Sequence, residues 1–406
     1  MVIVDDAAEA VRWRGGYGRL WTAAVLSRFG DSVRNVALPL VAVGLTSSPF
    51  VLSMVSAAGF LPWLVFGLLG GALADRVDRR RAMWMVDVVR GALVAAFAIA
   101  LALGHAHIAV LAILAFALTT MQTLFDNAAT AILPGIVPRG ALPSANARLM
   151  TGQALAGSFL GAPAAGLLVT AGLALPFAVD AATYLVAAAL IASLPRSAPL
   201  PPRPPGSTLR AEIGTGLRRL WADRLLRGIC LANLLGNLVI GGLQAIMVLI
   251  ITRWAGASDI VFGLVLATYG AGGVLGGLVA TRIGRWAGAA RAMVLALVAQ
   301  VGCLLVIGSV PHPAATAAAL AVFGVAGMVV NVHMVSLTQQ RIPVELLGRV
   351  SSASRTVGIV GAPAGALLFG ALAEVTEVNV PALVGAAVMA ASALVVLRAD
   401  RAMAGG

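Results

Sequence analysis

Between Leu20 and Leu45 an otherwise apolar stretch carries Arg28, Asp31, Arg34 and Asn35. Steps of three, three and one put all four on one face of a helix. At about 1.5 Å per residue from Leu20, Asp31 lies about 16 Å along that helix. That is mid-depth if the helix crosses a hydrocarbon layer about 30 Å thick. A charge at such depth is costly unless it is paired or hydrated. Two readings follow. Either the face lines a central pathway, where Asp31 binds protons or orients a substrate, or the charges form a structural cluster that holds helices together.

Other polar groups sit in similar apolar text. Asp87 and Arg90, one turn apart, read as a structural pair near the first end of their segment. Asp126, late in its segment, either joins a charge network at the membrane surface or carries protons. Asp180, with Tyr184 one turn on, lies about 9 Å inside the first end of its segment and either faces the mouth of a cavity or is structural. Asn233, Asn237 and Gln244 share one helical face by steps of four and seven; they either line a pathway or hold helices together. Asn331 and His333 are weaker candidates. The four histidines show no metal-ligand spacing, and no G-x-x-x-x-G-K-[ST] loop is present. No metal, cofactor, catalytic residue or ATP drive is expected.

These residues need elements to carry them, and composition says which. Of 406 residues, 60% are hydrophobic and only 11% charged, against roughly 45–50% and about 25% in a typical soluble domain. A spanning helix takes about 20 apolar residues, so the content suffices for about twelve. The runs fall at 20–45, 50–74, 82–104, 107–133, 146–171, 174–194, 226–252, 260–281, 291–310, 314–337, 349–373 and 379–398. They are too long and continuous for β-barrel strands. A soluble enzyme, a secreted disulfide scaffold and a disordered chain are excluded. Cys230 and Cys303 both fall in apolar segments.

The net charge of +12 comes from 28 basic residues, every one an arginine. With the N-terminus placed in the cytoplasm, 24 arginines lie on the cytoplasmic side, only Arg253 lies opposite, and Arg28, Arg34 and Arg90 lie within helices. That asymmetry follows the positive-inside rule. It accounts for the basic balance without a nucleic-acid partner and places both termini in the cytoplasm. Residues 195–206 read PRSAPLPPRPPG, which cannot be helical. Beyond them, Leu209, Ile213, Leu217, Leu220 and Trp221 fall on one face among arginines, as in a helix lying on the membrane surface. The expected domains are a six-helix bundle over 1–194, a cytoplasmic linker over 195–225 and a second six-helix bundle over 226–406.

The halves repeat. Leu69–Arg79 aligns with Leu275–Arg285 at an offset of 206, Gly161-Ala162-Pro163-Ala164 recurs as Gly361-Ala362-Pro363-Ala364 at 200, and Val137-Pro138 as Ile342-Pro343 at 205. Parallel repeats about an axis along the membrane normal are a transporter architecture. In both copies of G-A-P-A, Gly161, Pro163, Gly361 and Pro363, with Gly166, suit close helix packing and a relaxed backbone ladder.

Gly71-Ala72-Leu73-Ala74-Asp75-Arg76-Val77-Asp78-Arg79-Arg80 resembles the loop 2–3 signature of the major facilitator superfamily, G-x-L-A-D-R-x-G-R-R, with Asp78 in place of its glycine. Together with Leu133-Pro134-Gly135-Ile136-Val137-Pro138, it is similar to the branch of enterobactin exporters and macrolide efflux proteins. The resemblance implies an all-α fold of twelve transmembrane helices in two pseudo-symmetric halves. It also implies a conformational latch of Gly71, Asp75, Arg76, Arg79 and Arg80, with Arg355 as partner. Gly157, Gly161, Pro163 and Gly166 partly match the antiporter motif of exporters, with Ala162 and Leu167 replacing two of its glycines.

The implied activity is secondary active transport: proton-driven export of amphipathic small molecules by alternating access, in the inner (cytoplasmic) membrane, by a monomer. The expected cavity is largely apolar, with Phe60, Trp63, Phe66, Phe159, Tyr184, Met247 and Tyr269 as its walls. Proton-linked uptake of a small polar solute is the alternative within transport. A non-transporting membrane sensor is the alternative outside it.

Overall fold

The structure, a computed structural model, describes residues 16–66, 78–133, 136–138, 141–194, 209–342 and 344–404, and those residues form helices and short turns. In chain order the helices are α1 (Gly16–Leu45), α2 (Pro49–Phe66), α3 (Arg79–Ala102) and α4 (Ile108–Ile132). Next come α5, in three stretches (Leu142–Ala154, a π segment Leu155–Gly161, and Ala162–Ala171), α6 (Leu175–Ala192) and α7 (Leu209–Ala222). Then follow α8 (Arg224–Leu249, continued by a π turn Ile250–Trp254), α9 (Asp259–Ala287), α10 (Ala289–Ser309), α11 (Pro313–Arg341), α12 (Val344–Val375) and α13 (Val380–Ala404).

Among the described residues, ten helices are long and apolar enough to cross a bilayer. The other two expected spans fall short for visible reasons. α1 has 30 residues but carries Arg19, Arg28, Asp31 and Arg34. α2 is apolar, but its expected end at 67–74 lies outside the described residues, as do Gly71, Asp75 and Arg76 of the loop motif.

Local chemistry sets the helix ends. The Asp78 carboxylate accepts the Arg81 N–H at 3.1 Å and caps α3. Asp223 accepts from the N–H groups of Leu225 and Leu226 at 2.8 and 3.1 Å and starts α8. Both satisfy backbone donors that a helix start leaves unpaired. Gly288, at φ 81°, ends α9 and begins α10 in one residue, a conformation that strains any side chain with a Cβ. In α5, Pro163 has no N–H to bond one turn back, and the preceding turn widens into the π segment.

The chain divides into two compact units, one of the described residues of Met1–Val41 and Val65–Pro202, the other of Ala42–Leu64 and Arg203–Gly406. In the first, Tyr17, Leu20, Met83, Phe125, Ile132, Ala187 and Ile191 share a core that joins one end of α1, α3, α4 and α6. The Tyr17 hydroxyl donates to the Ala145 carbonyl at 2.8 Å and the Trp21 indole N–H to Arg148 O at 3.0 Å, tying α1 to α5. Arg19 donates to Ser193 O at 2.7 Å and Arg80 to Ala192 O, so two arginines satisfy carbonyls at the end of α6.

In the second unit, α8 lies against α12. A Cβ on Gly361 would fall 2.3 Å from Leu234 O, and one on Gly365 only 1.8 Å from Leu238 O. In the first unit the other G-A-P-A copy makes the matching approach, with a Cβ on Gly161 falling 2.6 Å from Ser32 Cβ of α1. Each copy thus packs against an earlier helix of its own unit, α1 in the first and α8 in the second. α7 seats Leu220 in a cluster with Leu226, Cys230, Ile342 and Val350, while Trp221, expected on that covered face, is exposed.

Candidate functional site

Asp31 is the centre of a buried charge cluster in the first unit. It is buried, and one of its oxygens, Oδ1, takes three donors from three helices. Arg34 of α1 donates at 2.9 Å, Arg90 of α3 lies 3.2 Å away, and the Tyr184 hydroxyl of α6 also donates to it. Arg34 further pairs through Nε with Asp180 Oδ2 of α6 at 3.2 Å. Arg90 pairs with Asp87 one turn earlier at 3.3 Å. It also donates to Gln122 Oε1 of α4, and its guanidinium lies 4.2 Å above the Tyr184 ring. That stacking favours a delocalised cation over the π face.

Several polar atoms of the cluster lack hydrogen bonds: both Asp180 oxygens, Asp87 Oδ2, Arg34 Nε and Arg90 Nε. Asp180 therefore holds its arginine by charge, without a well-aligned N–H···O bond. Gly30 makes room for it, since a Cβ there would lie 2.5 Å from Asp180 Oδ1 and 2.0 Å from Thr183 Oγ1.

Beside the cluster, α1, α4 and α5 line an open cavity of about 430 Å³, within the range of small-molecule sites. Ser27, Arg28, Asp31, Gln122, Asp126 and Gln153 supply its polar wall, and Phe125 and Met150 its larger apolar groups. Gln122 bridges cluster and cavity: its carbonyl takes Arg90 and its amide donates to Asp126 Oδ1 at 2.7 Å. Behind this wall the π segment of α5 turns the Gly157 carbonyl toward α1, where the Ser32 hydroxyl donates to it at 2.6 Å. A π turn inside a helix recurs at functional sites.

The residues singled out in sequence are distributed as follows. Arg28, Asp31 and Asp126 line the cavity, while Arg34, Asp180 and Tyr184 lie buried behind it. Asp180, which sequence placed either at a cavity mouth or in a structural role, is fully buried, and Asn35 is exposed rather than drawn into the cluster. Asp87 and Arg90, read as an isolated pair, belong to the cluster through Asp31. In the second unit, Asn237 donates to the Asn233 carbonyl and side-chain oxygens at 2.9 and 3.0 Å, Gln244 is exposed, and Trp63 of α2 is exposed. His333 lies 3.1 Å from Ala280 O, joining α11 to α9.

The expected aromatic lining does not occur in this cavity: Tyr184 and Met247 are buried, and Phe159 and Tyr269 are exposed elsewhere. Gln153, Met150 and Gln122 were missed in sequence. Of the latch residues, Gly71, Asp75 and Arg76 lie outside the described residues, Arg80 bonds Ala192 O, and Arg355 is exposed.

A family model described as a transmembrane secretion effector, of the major facilitator type, matches residues 14–403. The chain belongs to that family of transporters. The transporter is 23% identical to macrolide efflux protein A of Streptococcus pyogenes over 374 residues, 90% of this chain and 91% of the relative. It is 27% identical to the enterobactin exporter EntS of Shigella boydii over 363 residues, 86% of this chain and 84% of that one. Its fold is that of the nucleoside transporter NupG, at a TM-score of 0.74 and 12% identity, covering 95% of this chain and 99% of the other. The resemblance read from the loop motif is thereby borne out, and the chain is a multi-pass membrane transporter rather than an enzyme.

Proposed function

We propose that the transporter exports amphipathic small molecules, such as drugs, siderophores or other metabolites, in exchange for protons. The observation that carries this reading is the charge count of the buried cluster. Asp31, Asp87 and Asp180 bring three carboxylates, and Arg34 and Arg90 bring two guanidiniums. An uncompensated charge in a low-dielectric interior is costly, so this arrangement is most stable with one proton on the cluster. Asp180, with neither oxygen hydrogen-bonded, is its seat. Arg28, one turn before Asp31, is exposed on the cavity side and stands outside this buried count. Opening the cluster to water on either side of the membrane lets the proton leave or return, and substrate in the adjoining cavity moves in the opposite sense.

The fold supports alternating access by two six-helix halves, 1–194 and 226–406, about the linker 195–225. We place both termini and the linker in the cytoplasm, in the inner membrane of a cell, on the arginine asymmetry. The names of the two efflux relatives support export. The transporter acts as a monomer, with Asp75 and Arg355 as latch partners at the cytoplasmic surface. Well-expressed Asp75→Asn protein should then transport slowly; a full rate removes the latch.

The polar wall of Ser27, Arg28, Gln122, Asp126 and Gln153 favours a second reading, proton-linked uptake of a small polar solute. Direction decides between them. Cells with the gene should accumulate less of an exported compound than cells without it, across a panel of dyes, antibiotics and siderophores, and a protonophore should erase the difference. Greater accumulation with the gene favours uptake; no difference for any compound removes the export reading.

A further inference from the structure

The turn between α1 and α2 is held by helices from the other end of the chain. Ala42–Leu64 belongs to the same compact unit as residues 203–406, although the sequence places it in the first half. Three contacts bring this about. Glu374, in the last turn of α12, accepts the Ser48 hydroxyl at 2.7 Å and the Phe50 N–H at 3.0 Å. It therefore supplies from a distant helix the acceptor that an N-terminal cap supplies locally, at the positive end of α2. Arg253, at the end of α8, donates to Ser47 O at 3.4 Å. Gly370, one turn before Glu374, lets α2 come so close that a Cβ there would meet Ser53 Oγ at 2.0 Å and Pro49 O at 3.1 Å.

Arg253 is the one arginine that the charge asymmetry places on the far side of the membrane from the linker. The grip therefore lies at the face opposite the linker, the outer face in the proposed topology. It joins a loop of the first half to two helices of the second. A transporter that alternates access must separate such contacts to open on that side.

We propose that Glu374, with Arg253, forms an outer latch on the Ser47–Phe50 turn, which holds the transporter shut to the outside and must release in every cycle. The hydrogen bonds are exposed, so water replaces them readily once the helices part, as a reversible latch requires. The Gly370–Ser53 contact supplies the close fit that water cannot enter while the latch is closed. The latch rests on alternating access, not on the direction of transport or the coupling ion.

The test uses full-length protein with cysteines at Ser48 and Glu374, and Cys230 and Cys303, both buried, replaced by alanine. A short, reducible methanethiosulfonate crosslinker between the two new cysteines should abolish transport, and reductant should restore it. Transport at the uncrosslinked rate in fully crosslinked protein overturns the latch and leaves the export reading intact. A second measurement needs no known substrate. In right-side-out vesicles, a cysteine at Ser53 should react with an impermeant maleimide at least about five times faster when Glu374→Ala is added. Glu374→Gln, which keeps an acceptor oxygen, should fall between. Equal reactivity in all three overturns the proposal, even if no transported compound has been found.

Discussion

Arg90 of α3 and Asp31 of α1 stand 59 positions apart in sequence and 3.2 Å apart in the fold, both buried. Through that pair, the carboxylate that sequence reading placed at mid-depth becomes the hub of three helices. Asp31 pairs with two arginines at once, alongside Asp180 and Asp87, and we propose counter-charge as its first duty. In Asp31→Asn, Arg34 and Arg90 lose their shared anion, and breaking a buried pair costs about 3–5 kcal/mol. The melting temperature in detergent should fall well below wild type. Arg34→Gln, which takes the arginine paired with both Asp31 and Asp180, should lower the melting temperature as well. Wild-type stability in Asp31→Asn removes the counter-charge assignment.

Gly30 seats Asp180. Alanine there would press its Cβ onto Thr183 Oγ1 and the Asp180 carboxylate, and overpacking of this kind costs about 1–3 kcal/mol. Gly30→Ala should lower the melting temperature and transport together. Adding Thr183→Ala removes the nearer obstacle and should restore part of the stability. No effect of Gly30→Ala places the α1–α6 contact elsewhere.

Close packing of α8 on α12 makes a similar claim with an internal control. A Cβ on Gly365 would strike the Leu238 carbonyl, whereas one on Gly236 of α8 would meet nothing within 4 Å. Gly365→Ala should be destabilising. Gly236→Ala should be neutral or stabilising by about 0.5–1 kcal/mol, the usual gain of alanine over glycine within a helix. Thermal melts of the two variants check both expectations, and equal melts contradict the packing.

Topology is checked by a single cysteine at Gly214, exposed on α7. In intact cells an impermeant maleimide should leave it unlabelled, and permeabilisation should expose it. Labelling in intact cells reverses the proposed orientation.

Much of this architecture could be read from the residues. α3, α6 and α10 begin and end within a few residues of their apolar runs, because only a helix can bury its backbone polar groups in hydrocarbon. Asp31 was legible because depth follows from rise per residue and a mid-depth charge is rare. Arg90 was not, for two reasons. α3 begins at Arg79 rather than 82, which sets Arg90 about 16 Å along the helix, near the depth assigned to Asp31. Its partner also lies on another helix, and single-sequence spacing gives no information on that. The wall of the cavity in the first unit was hidden for a related reason. A helix that is apolar all round has no polar stripe to fix which face turns inward, so nothing in α4 or α5 singled out Gln122, Met150 and Gln153.

The proposed proton seat, Asp180, admits the most direct test. Purified Asp180→Asn protein, reconstituted into vesicles with a transported compound found by the accumulation screen, separates coupling from binding. The amide keeps the size of the side chain but cannot titrate. The variant should still exchange labelled for unlabelled compound across the membrane, yet show no net movement against the compound's gradient when a pH gradient is imposed. Wild-type rates of pH-driven transport in Asp180→Asn would contradict the assignment of the proton to this cluster's buried carboxylate.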